Sequence, residues 1–337
     1  MMDAFLKERV RVCVTPGSYN TPMGICKVIN NDLDAHHQVL ILEMGARYKG
    51  NIKELCEIAR PDISVVTNVG LAHLETFGSQ KAIAREKSTL ARELKSGGTL
   101  ILNSDDPLVK EMAELRDDVK TVYAGSEGKV RISDSETDAN GTRFIMNIFD
   151  DEGNRVDKED FQTILLGKHI IQNMSIAAAV ALEFDIRLKT MAVAASKIEP
   201  VEHRLELKKR DGLIVIDDAF NSNPIGAKNA VDILASFKSG QKIIITPGMI
   251  ELGELEDEEN QKLGEYIAKA NLDLIILVGD EQTKSIQKGI NEAQNGEAQN
   301  VRIAKSLFEA NDILKEFASP GDVVLYENDL PDTYNSQ

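Results

Sequence analysis

Residues 38–69 read QVLILEMGARYKGNIKELCEIARPDISVVTNV, and this stretch decides the fold class. The apolar run over 38–43 predicts a buried strand, residues 51–59 have the pattern of a helix, and residues 62–69 predict a second strand. Strand, helix and strand in this order are typical of a parallel sheet whose strands are joined by crossover helices. The chain is therefore predicted to be an α/β protein.

The same alternation continues along the first half of the chain. It predicts a helix near 79–95, a strand at 99–103, a helix near 106–115 and a strand near 119–123. Between residues 128 and 166 the pattern changes to alternating strands separated by polar turns, including an Asn-Gly pair. We interpret this part as a small antiparallel insertion.

A second α/β unit is predicted after Pro200, which marks a plausible break. The strand LIVIDD at 213–218 is followed by a helix, the strand KIIIT begins at 242, and further strands and helices alternate to the end. We therefore predict two domains, 1–200 and 201–337, each of ordinary domain size.

Composition and charge narrow the class of protein. The 337 residues are 42% hydrophobic and 28% charged, and no apolar run approaches the roughly 20 residues that span a bilayer. A formal net charge of −16 argues against a nucleic-acid partner. The three cysteines have neither disulfide-framework nor metal-ligand spacing, so we expect reduced thiols and a cytoplasmic location.

Polar side chains follow two of the predicted strands. Glu43 comes directly after VLIL, and His73 follows SVVTNV by a few residues. Ligands of open parallel sheets bind at the carboxyl ends of the strands, where a carboxylate and an imidazole could hold a divalent cation. The alternative is that Glu43 is a cap or a surface residue and that His73 is structural.

Lys87 lies on the helix that follows His73. The simplest interpretation is a solvated helix face, because an ammonium group would repel a metal ion. Lys87 could join a metal site only if its charge were reversed, as carbamylation by CO2 does.

Two further stretches have polar residues at the ends of predicted elements. IDDAFNSNPIGA (216–227) places Asp217 and Asp218 at a strand end, before a proline suited to a helix start. It is either a capped strand-to-helix loop or a loop that contacts a nucleotide or substrate. GKHIIQN (167–173) is interpreted as a helix N-terminus, with Asn173 either as a cap or as a contact to a base.

With these residues in view, the chain resembles the Mur ligases, and within them the MurF type. The stretches that carry the resemblance occur in the family's order and span nearly the whole chain. They are TPGSYNTPMGI, LEMGARYKGNI, RPDISVVTNVGLAHLETFGS, AREK, GKHIIQN, EHRLE, IDDAFNSNP and GMIELGE. The resemblance implies a parallel-sheet, ATPase-like central domain with a small antiparallel insertion, followed by a Rossmann-like C-terminal α/β domain.

The resemblance also implies roles for individual residues. Glu43 and His73 match the family's magnesium ligands, and Lys87 matches a lysine that is carbamylated and helps to hold a second magnesium ion. The other implied contacts are Asn173 near the adenine, Arg204 at a nucleotide phosphate, Asp217 or Asp218 near the ribose, Asn20 and Thr21 at the UDP-sugar, and Asn221 and Asn223 at the second-domain side of the cleft.

The implied activity is ATP-dependent amide-bond formation in peptidoglycan precursor synthesis. ATP would phosphorylate a carboxylate of a UDP-muramoyl-peptide, and the amine of D-Ala-D-Ala, or of another donor, would then displace the phosphate. The implied cofactors are ATP and Mg²⁺, which neutralises charge in both steps.

The sequence departs from the family at both ends. The family's glycine-rich phosphate loop, G-x-x-G-K-[ST], is absent from these residues, and residues 4–9 are interpreted as the tail of the helix that follows it. The ending YENDLPDTYN replaces a Lys-Gly-Ser turn. Two hypotheses result. The first is a ligase seen as a truncated chain, through a misplaced start codon, as a gene fragment, or as a split enzyme with its N-terminal part in trans. The second is an inactive remnant that binds nucleotide, substrate or a protein. Loss of a central strand would expose a sheet edge, so we expect self-association.

Overall fold

The fold is taken from a computed structural model that describes residues 1–17, 19–70, 74–219, 223–250, 252–293 and 300–328. Contacts divide the chain into two compact units, each with its own core. Unit 1 comprises Met1–Ser135, Arg143–Gln162 and Lys168–Ile198. Unit 2 comprises Glu136–Thr142, Thr163–Gly167 and the chain from Glu199 onward.

Unit 1 contains most of the elements expected from the first part of the sequence. One end of each of the strands β6, β7 and β8 belongs to the short segments assigned to unit 2. Its strands are β1 (Val12–Val14), β2 (Val39–Ile41), β3 (Ile63–Val66), β4 (Thr99–Asn103), β5 (Lys120–Ala124), β6 (Val130–Asp138), β7 (Gly141–Phe149) and β8 (Arg155–Thr163). Its helices are α1 (Met2–Leu6), α2 (Pro22–Asn31), α3 (Asn51–Ile58), α4 (Leu74–Phe77), α5 (Gln80–Lys87), α6 (Thr89–Arg92), α7 (Pro107–Lys110), α8 (Lys168–Leu182) and α9 (Leu188–Ala195).

The strands of unit 1 form two separate sheets. β1 and β2 pair in parallel as a two-stranded sheet. The second sheet has the order β3-β4-β5-β6-β7-β8, with parallel pairing from β3 to β6. Only two residues separate β6 from β7, a connection that joins antiparallel strands. The antiparallel insertion expected from the sequence is therefore present.

Local sequence explains where several of these elements begin. β4 reads TLILN and all five of its residues are buried, as expected for a strand inside a parallel sheet. Thr21 caps α2 by accepting a hydrogen bond from the Gly24 N–H, and Pro22 occupies the first helical position, where its missing N–H costs nothing.

Unit 2 is a second α/β layer structure. Its strands are β9 (Glu206–Arg210), β10 (Leu213–Asp218), β11 (Lys242–Thr246), β12 (Leu274–Val278), β13 (Val301–Ala304) and β14 (Val323–Glu327). Its helices are α10 (Pro224–Ser236), α11 (Glu256–Lys269), α12 (Lys284–Ala293) and α13 (Leu307–Phe317).

One continuous sheet forms the centre of unit 2. Its order is β13-β12-β11-β14-β10-β9, and every pairing is parallel except that of β9 with β10. Two buried apolar clusters pack against it; one includes Ile244 and Leu277, the other Ile276 and Val324. β12 reads LIILV and is buried at every position.

The α/β fold class predicted from the sequence is confirmed. Some element bounds were wrong. The single helix expected near 79–95 is two helices, because α5 ends at Lys87 and Ser88 separates it from α6. The helix N-terminus predicted within GKHIIQN (167–173) is confirmed, because α8 begins at Lys168. The alternative that Asn173 caps this helix is wrong, because Asn173 lies inside it.

Candidate active site

Glu43 lies just beyond the carboxyl end of β2 and is exposed. Its Oε1 accepts a hydrogen bond from Asn20 Nδ2 at 3.1 Å, and its backbone N–H donates to Thr15 Oγ1 at 3.1 Å. The backbone N–H of Gly45 donates to the Asn20 carbonyl at 2.9 Å. A loop from β1 therefore holds the Glu43 carboxylate in place at the strand end.

Asn20 and Thr21 were both expected to face the substrate. Asn20 turns its side-chain amide to Glu43, so it orients the carboxylate predicted to bind magnesium. The Thr21 hydroxyl accepts the Gly24 N–H at 3.3 Å and so caps a helix. A substrate contact by either residue stays a prediction.

Lys87 is the last residue of α5. Its Nζ donates a hydrogen bond to the Asn68 carbonyl at 2.7 Å, directly after β3. Burial lowers the pKa of Lys87, and the negative charge of Asp106 opposes this only in part. A lowered pKa increases the fraction of neutral amine, which is the nucleophilic form of a lysine side chain.

The loop after β3, which accepts the hydrogen bond from Lys87, is held in place by two other side chains. Asp106 Oδ2 accepts the Val69 N–H at 2.7 Å, while Asp106 Oδ1 caps α7. Gln80 Nε2 donates to the Val69 carbonyl at 2.9 Å. Sequence reasoning missed Asp106; the Ser-Asp-Asp-Pro run after β4, an acid before a helix-initiating proline, was the available signal.

Glu86, which precedes Lys87 in the sequence, contacts the start of helix α3. Its carboxylate is buried and accepts the N–H groups of Gly50 and Ile52, each at 2.9 Å. These are donors at the start of α3, which has no partner for them within the helix. Two adjacent residues of α5 therefore serve two purposes: Glu86 anchors α3, and Lys87 lies at the strand ends.

Glu43 and Lys87 line the same cavity of about 1090 Å³ within unit 1. Thr15, Asn68 and Gly70 also line it. The structure thus brings together two of the three residues predicted to hold magnesium. The third, His73, lies outside the described residues, so the complete ligand set stays a prediction.

Asn173, predicted to lie near an adenine, is on the second turn of α8 in unit 1 and is partly exposed. Its neighbour Gln172 donates to Asn103 Oδ1, and Asn103 Nδ2 donates to the Thr67 carbonyl at 2.7 Å. This chain of contacts ties α8 to the carboxyl ends of β3 and β4.

Asp217 and Asp218 lie at the carboxyl end of β10 in unit 2, in different environments. Asp217 Oδ2 accepts hydrogen bonds from Lys208 Nζ at 2.7 Å and is 2.9 Å from His203 Nδ1. Burial alone would raise the pKa of Asp217, but these hydrogen bonds hold it below its ordinary value.

Asp218 accepts the Leu205 N–H at 3.0 Å. Burial raises the pKa of Asp218 to about 6, with Asp217 adding to the shift and the Leu205 N–H and Arg204 opposing it. Arg204 is exposed. Asn223 Oδ1 accepts the Gly226 N–H at 3.0 Å and caps α10, whereas Asn221 lies outside the described residues.

A group of possible metal ligands in unit 2 is better explained by ion pairing. Atoms of His203, Glu206 and Asp217 lie within 4.8 Å of one another. Lys208 Nζ, however, lies 2.8 Å from Glu206 and 2.7 Å from Asp217, so an ammonium group already neutralises these carboxylates. The cluster is a salt-bridge network that joins β9 to β10.

Comparisons with known proteins agree with this architecture. The chain matches the Mur ligase middle domain over residues 1–181 and the Mur ligase glutamate ligase domain over residues 203–326. The two matches together cover most of the chain, and both belong to ligase domains with an α/β fold. The chain therefore belongs to the Mur ligase family. The family recognised from the sequence is thereby confirmed.

The similar proteins are of the MurF type. UDP-N-acetylmuramoyl-tripeptide–D-alanyl-D-alanine ligase of Bacillus subtilis (strain 168) is 29% identical over 97% of this chain and 69% of its own length. The ligase of the same name from Mycobacterium tuberculosis (strain ATCC 25618 / H37Rv) is 32% identical over 83% of this chain. The chain spans 55% of that mycobacterial relative.

Solved structures of the same type share the fold. MurF from Acinetobacter baumannii superposes with a TM-score of 0.81 at 23% identity, covering 97% of this chain and 69% of that one. A MurF ligase from Thermotoga maritima in complex with ADP has a TM-score of 0.78 at 25% identity, over 97% of this chain and 72% of that one. Among the described residues, no helix is both long and apolar enough to cross a membrane.

Proposed function

We propose that this chain provides the catalytic and C-terminal parts of an ATP-dependent amide ligase. It would join D-alanyl-D-alanine to a UDP-N-acetylmuramoyl-tripeptide-like carboxylate, in the cytoplasm, as a step in peptidoglycan precursor synthesis. The observation that carries the proposal is the match to ligases of that name along 97% of the chain. The shared cavity of Glu43 and Lys87 supports it. The comparisons do not favour an inactive remnant.

The residues present suit the magnesium ions that this chemistry needs. Glu43 offers an exposed carboxylate oriented by Asn20, and oxygen ligands are the ones Mg²⁺ prefers. Lys87 has a lowered pKa, which favours the neutral amine that combines with CO2 to form a carbamate. A carbamate on Lys87 would place a second anion beside Glu43, and His73 would complete the set. Bound magnesium would neutralise the charge on the transferred phosphate.

Residues of both units are proposed to act on the nucleotide and substrate. Asn173 would contact the adenine, Arg204 a phosphate, and Asp217 or Asp218 the ribose. Because Asp217 is occupied by Lys208, Asp218 is the better acceptor for a ribose hydroxyl. The remaining proposed substrate contacts come from Asn20, Thr21, Asn221 and Asn223.

A glycine-rich phosphate loop does not occur in these 337 residues. We propose that the N-terminal part of a ligase of this type, supplied in trans, can provide such a loop. The backbone N–H groups of that loop would hold the ATP phosphates.

The test is a ligation assay with ATP, Mg²⁺, D-Ala-D-Ala and the UDP-muramoyl-tripeptide, with product detected by mass. The protein is supplied with the part of the Bacillus subtilis ligase that has no counterpart in this chain. We expect ATP-dependent product, which Lys87→Ala lowers by at least about 100-fold because a ligand of the metal is lost. Lys81→Ala, on the exposed side of the same helix, is the matched control and should stay within about twofold.

Two results would contradict the proposal. One is product formation that Lys87→Ala leaves unchanged. The other is a lack of product in mixtures in which the full-length Bacillus subtilis ligase is active.

A further inference from the structure

The backbone is strained at two residues just before β9 in unit 2. His203 has a φ of +58° and Leu205 a φ of +49°, in the left-handed region that residues with a bulky side chain rarely adopt. The two residues flank Arg204, which is exposed and whose N–H donates to the Val201 carbonyl at 3.1 Å. Such strain persists only where surrounding contacts impose it, and it is concentrated at functional sites.

Two carboxylates impose this conformation. Asp218 Oδ1 accepts the Leu205 N–H at 3.0 Å, and Glu206 Oε2 accepts the His203 N–H at 3.1 Å. One acid therefore bonds the backbone directly after Arg204, and the other bonds it directly before. A rotation of either peptide group would break a hydrogen bond to a charged acceptor, which is stronger than one to a neutral acceptor.

The residues of this strained segment are also held through their side chains. Leu205 packs against one of the two apolar clusters of unit 2, and a glycine at the same φ would give up this packing. The His203 ring nitrogen Nδ1 lies 2.9 Å from Asp217, and Lys208 Nζ lies 2.8 Å from Glu206. Contacts with β9, β10 and the core thus fix the segment.

A fixed backbone matters for an arginine that binds an anion. Binding restricts a long side chain, and a rigid support limits the conformational entropy that is lost. A guanidinium group matches the geometry of a phosphate, which it can bind through two parallel hydrogen bonds. Arg204 opposes the rise in the pKa of Asp218, so the guanidinium lies close enough to interact with this carboxylate.

We propose that Asp218 and Glu206 are positioning residues, which act through the backbone to direct the Arg204 guanidinium at a phosphate group. This role rests on the proposed function, which assigns Arg204 to a nucleotide phosphate. It explains why acids lie beside a residue that binds an anion, where their charge alone would weaken binding. A carboxylate can accept several hydrogen bonds, so the role adds to the proposed ribose contact of Asp218.

The test is the binding of inorganic pyrophosphate to the 337-residue protein, measured by isothermal titration calorimetry. Pyrophosphate has no ribose, so a direct contact between Asp218 and a ribose does not affect its affinity. Magnesium is left out, so that the metal ligands predicted in unit 1 do not contribute. The same titrations with ADP show whether the nucleotide follows pyrophosphate.

Two substitutions of Asp218 separate its charge from its hydrogen bond. Both Asp218→Ala and Asp218→Asn remove a negative charge, which by itself should strengthen the binding of an anion. Asp218→Ala also removes the acceptor of the Leu205 N–H, so we expect it to weaken pyrophosphate binding at least about fivefold. Asp218→Asn keeps an acceptor oxygen and should bind pyrophosphate at least as tightly as the unaltered protein.

A control and a second background complete the design. Glu202→Gln removes an exposed charge from the same segment and should change the Kd less than about twofold. Arg204→Ala should weaken binding at least about tenfold, and adding Asp218→Ala to it should have no further effect, because a positioning residue acts only through the residue it positions. Glu206→Ala and Glu206→Gln repeat the comparison at the His203 N–H if Asp218→Ala fails to fold.

Four results would overturn the proposal. They are no pyrophosphate binding by the unaltered protein, equal affinities of Asp218→Ala and Asp218→Asn, a loss in Asp218→Ala that persists without Arg204, and a loss seen with ADP alone. The last would assign Asp218 to the ribose only. If the ligation assay above fails while these differences are found, the result contradicts the ligase activity and supports the positioning role.

Discussion

The two units build parallel sheets from similar apolar strands, and across the described residues only the strands of unit 2 form one continuous sheet. In unit 2, β12 has a neighbour on each side and every residue of LIILV is buried. In unit 1, β2 has the equally apolar residues VLI, yet all three are only half-buried. The difference shows that burial of a strand is decided by its neighbours as much as by its own sequence.

The incomplete sheet is also the one with the predicted metal ligands. Glu43 and Lys87 line the cavity beside its open edges. In unit 2, hydrogen bonds join the carboxyl ends of β11 and β14. Thr246 Oγ1 donates to Glu327 at 2.6 Å, and Asn328 Nδ2 donates to the Gly248 carbonyl at 2.7 Å. The predicted metal ligands thus line a cavity, whereas the strand ends of unit 2 are joined by side-chain hydrogen bonds.

The largest expected effect is a difference in stability between matched leucines of the two sheets. Leu277→Ala in β12 removes a fully buried side chain and should lower the free energy of unfolding of unit 2 by about 2–5 kcal/mol. Leu40→Ala in β2 removes a half-buried one and should cost unit 1 about 1 kcal/mol. Urea unfolding, followed by hydrogen exchange of peptides from each unit, measures both. Equal losses would show that β2 is as enclosed as β12.

The second prediction concerns Asp218 and pH. Its folded-state pKa of about 6 lies above the ordinary value, so the folded protein binds more protons between pH 4 and 6. The free energy of unfolding should therefore fall as the pH rises from 4 to 6. The loss is at most about 3 kcal/mol, and we expect about 1–2 kcal/mol because Asp218 is partly exposed.

Asp218→Asn should remove this pH dependence and stabilise the protein at pH 7. Asp217→Asn is the matched control: its pKa is lowered in the folded state, so the substitution should destabilise the protein at pH 7 by breaking the contact with Lys208. Thermal unfolding across pH 4–8 measures both variants. A pH dependence unchanged by Asp218→Asn would contradict the assignment.

A smaller effect is expected at Glu86, which anchors α3 beside the open sheet. Glu86→Gln keeps one acceptor oxygen but loses the charge and one of two hydrogen bonds, at a cost of about 1–2 kcal/mol. Glu57→Gln, on the exposed side of α3, should change stability by less than about 0.5 kcal/mol. Urea unfolding measures the free energy of unfolding of both variants. An equal loss in Glu86→Gln and Glu57→Gln would show that Glu86 does not hold the helix.

The sequence predicted the strands more reliably than the contacts among polar residues. TLILN and LIVIDD were predicted at the bounds they have, because a short apolar run bounded by polar residues indicates a strand without reference to its neighbours. The helix near 79–95 was predicted without its break, since nothing in the apolar pattern marks Ser88. Asn173 was taken for a possible cap because asparagine is a common N-cap residue and the alanine-rich run follows it, whereas α8 begins earlier, at Lys168.

The candidate site was predictable in part. Glu43 was named from its place after a strand and from a family motif, whereas Lys87 was named from the family motif alone, because its place on a helix indicated a solvated face. The structure brings both residues to one cavity. Asp106 accepts a hydrogen bond from a residue 37 positions away in the sequence, and Glu86 accepts hydrogen bonds from residues 34 and 36 positions away. Such contacts depend on how the chain folds, so the sequence alone did not indicate them. Whether His73 joins them stays a prediction.

The interruption of the unit 1 sheet is tested most directly by amide hydrogen exchange at single residues, by NMR, on the protein alone. We predict that the N–H groups of Leu40 and Val65 exchange at least about 100-fold faster than that of Ile41, which is paired with β1. Ile276 in β12 should be protected as well as Ile41 or better. Protection of Leu40 and Val65 equal to that of Ile41 would mean that both strand edges are already paired, which would contradict an interrupted sheet.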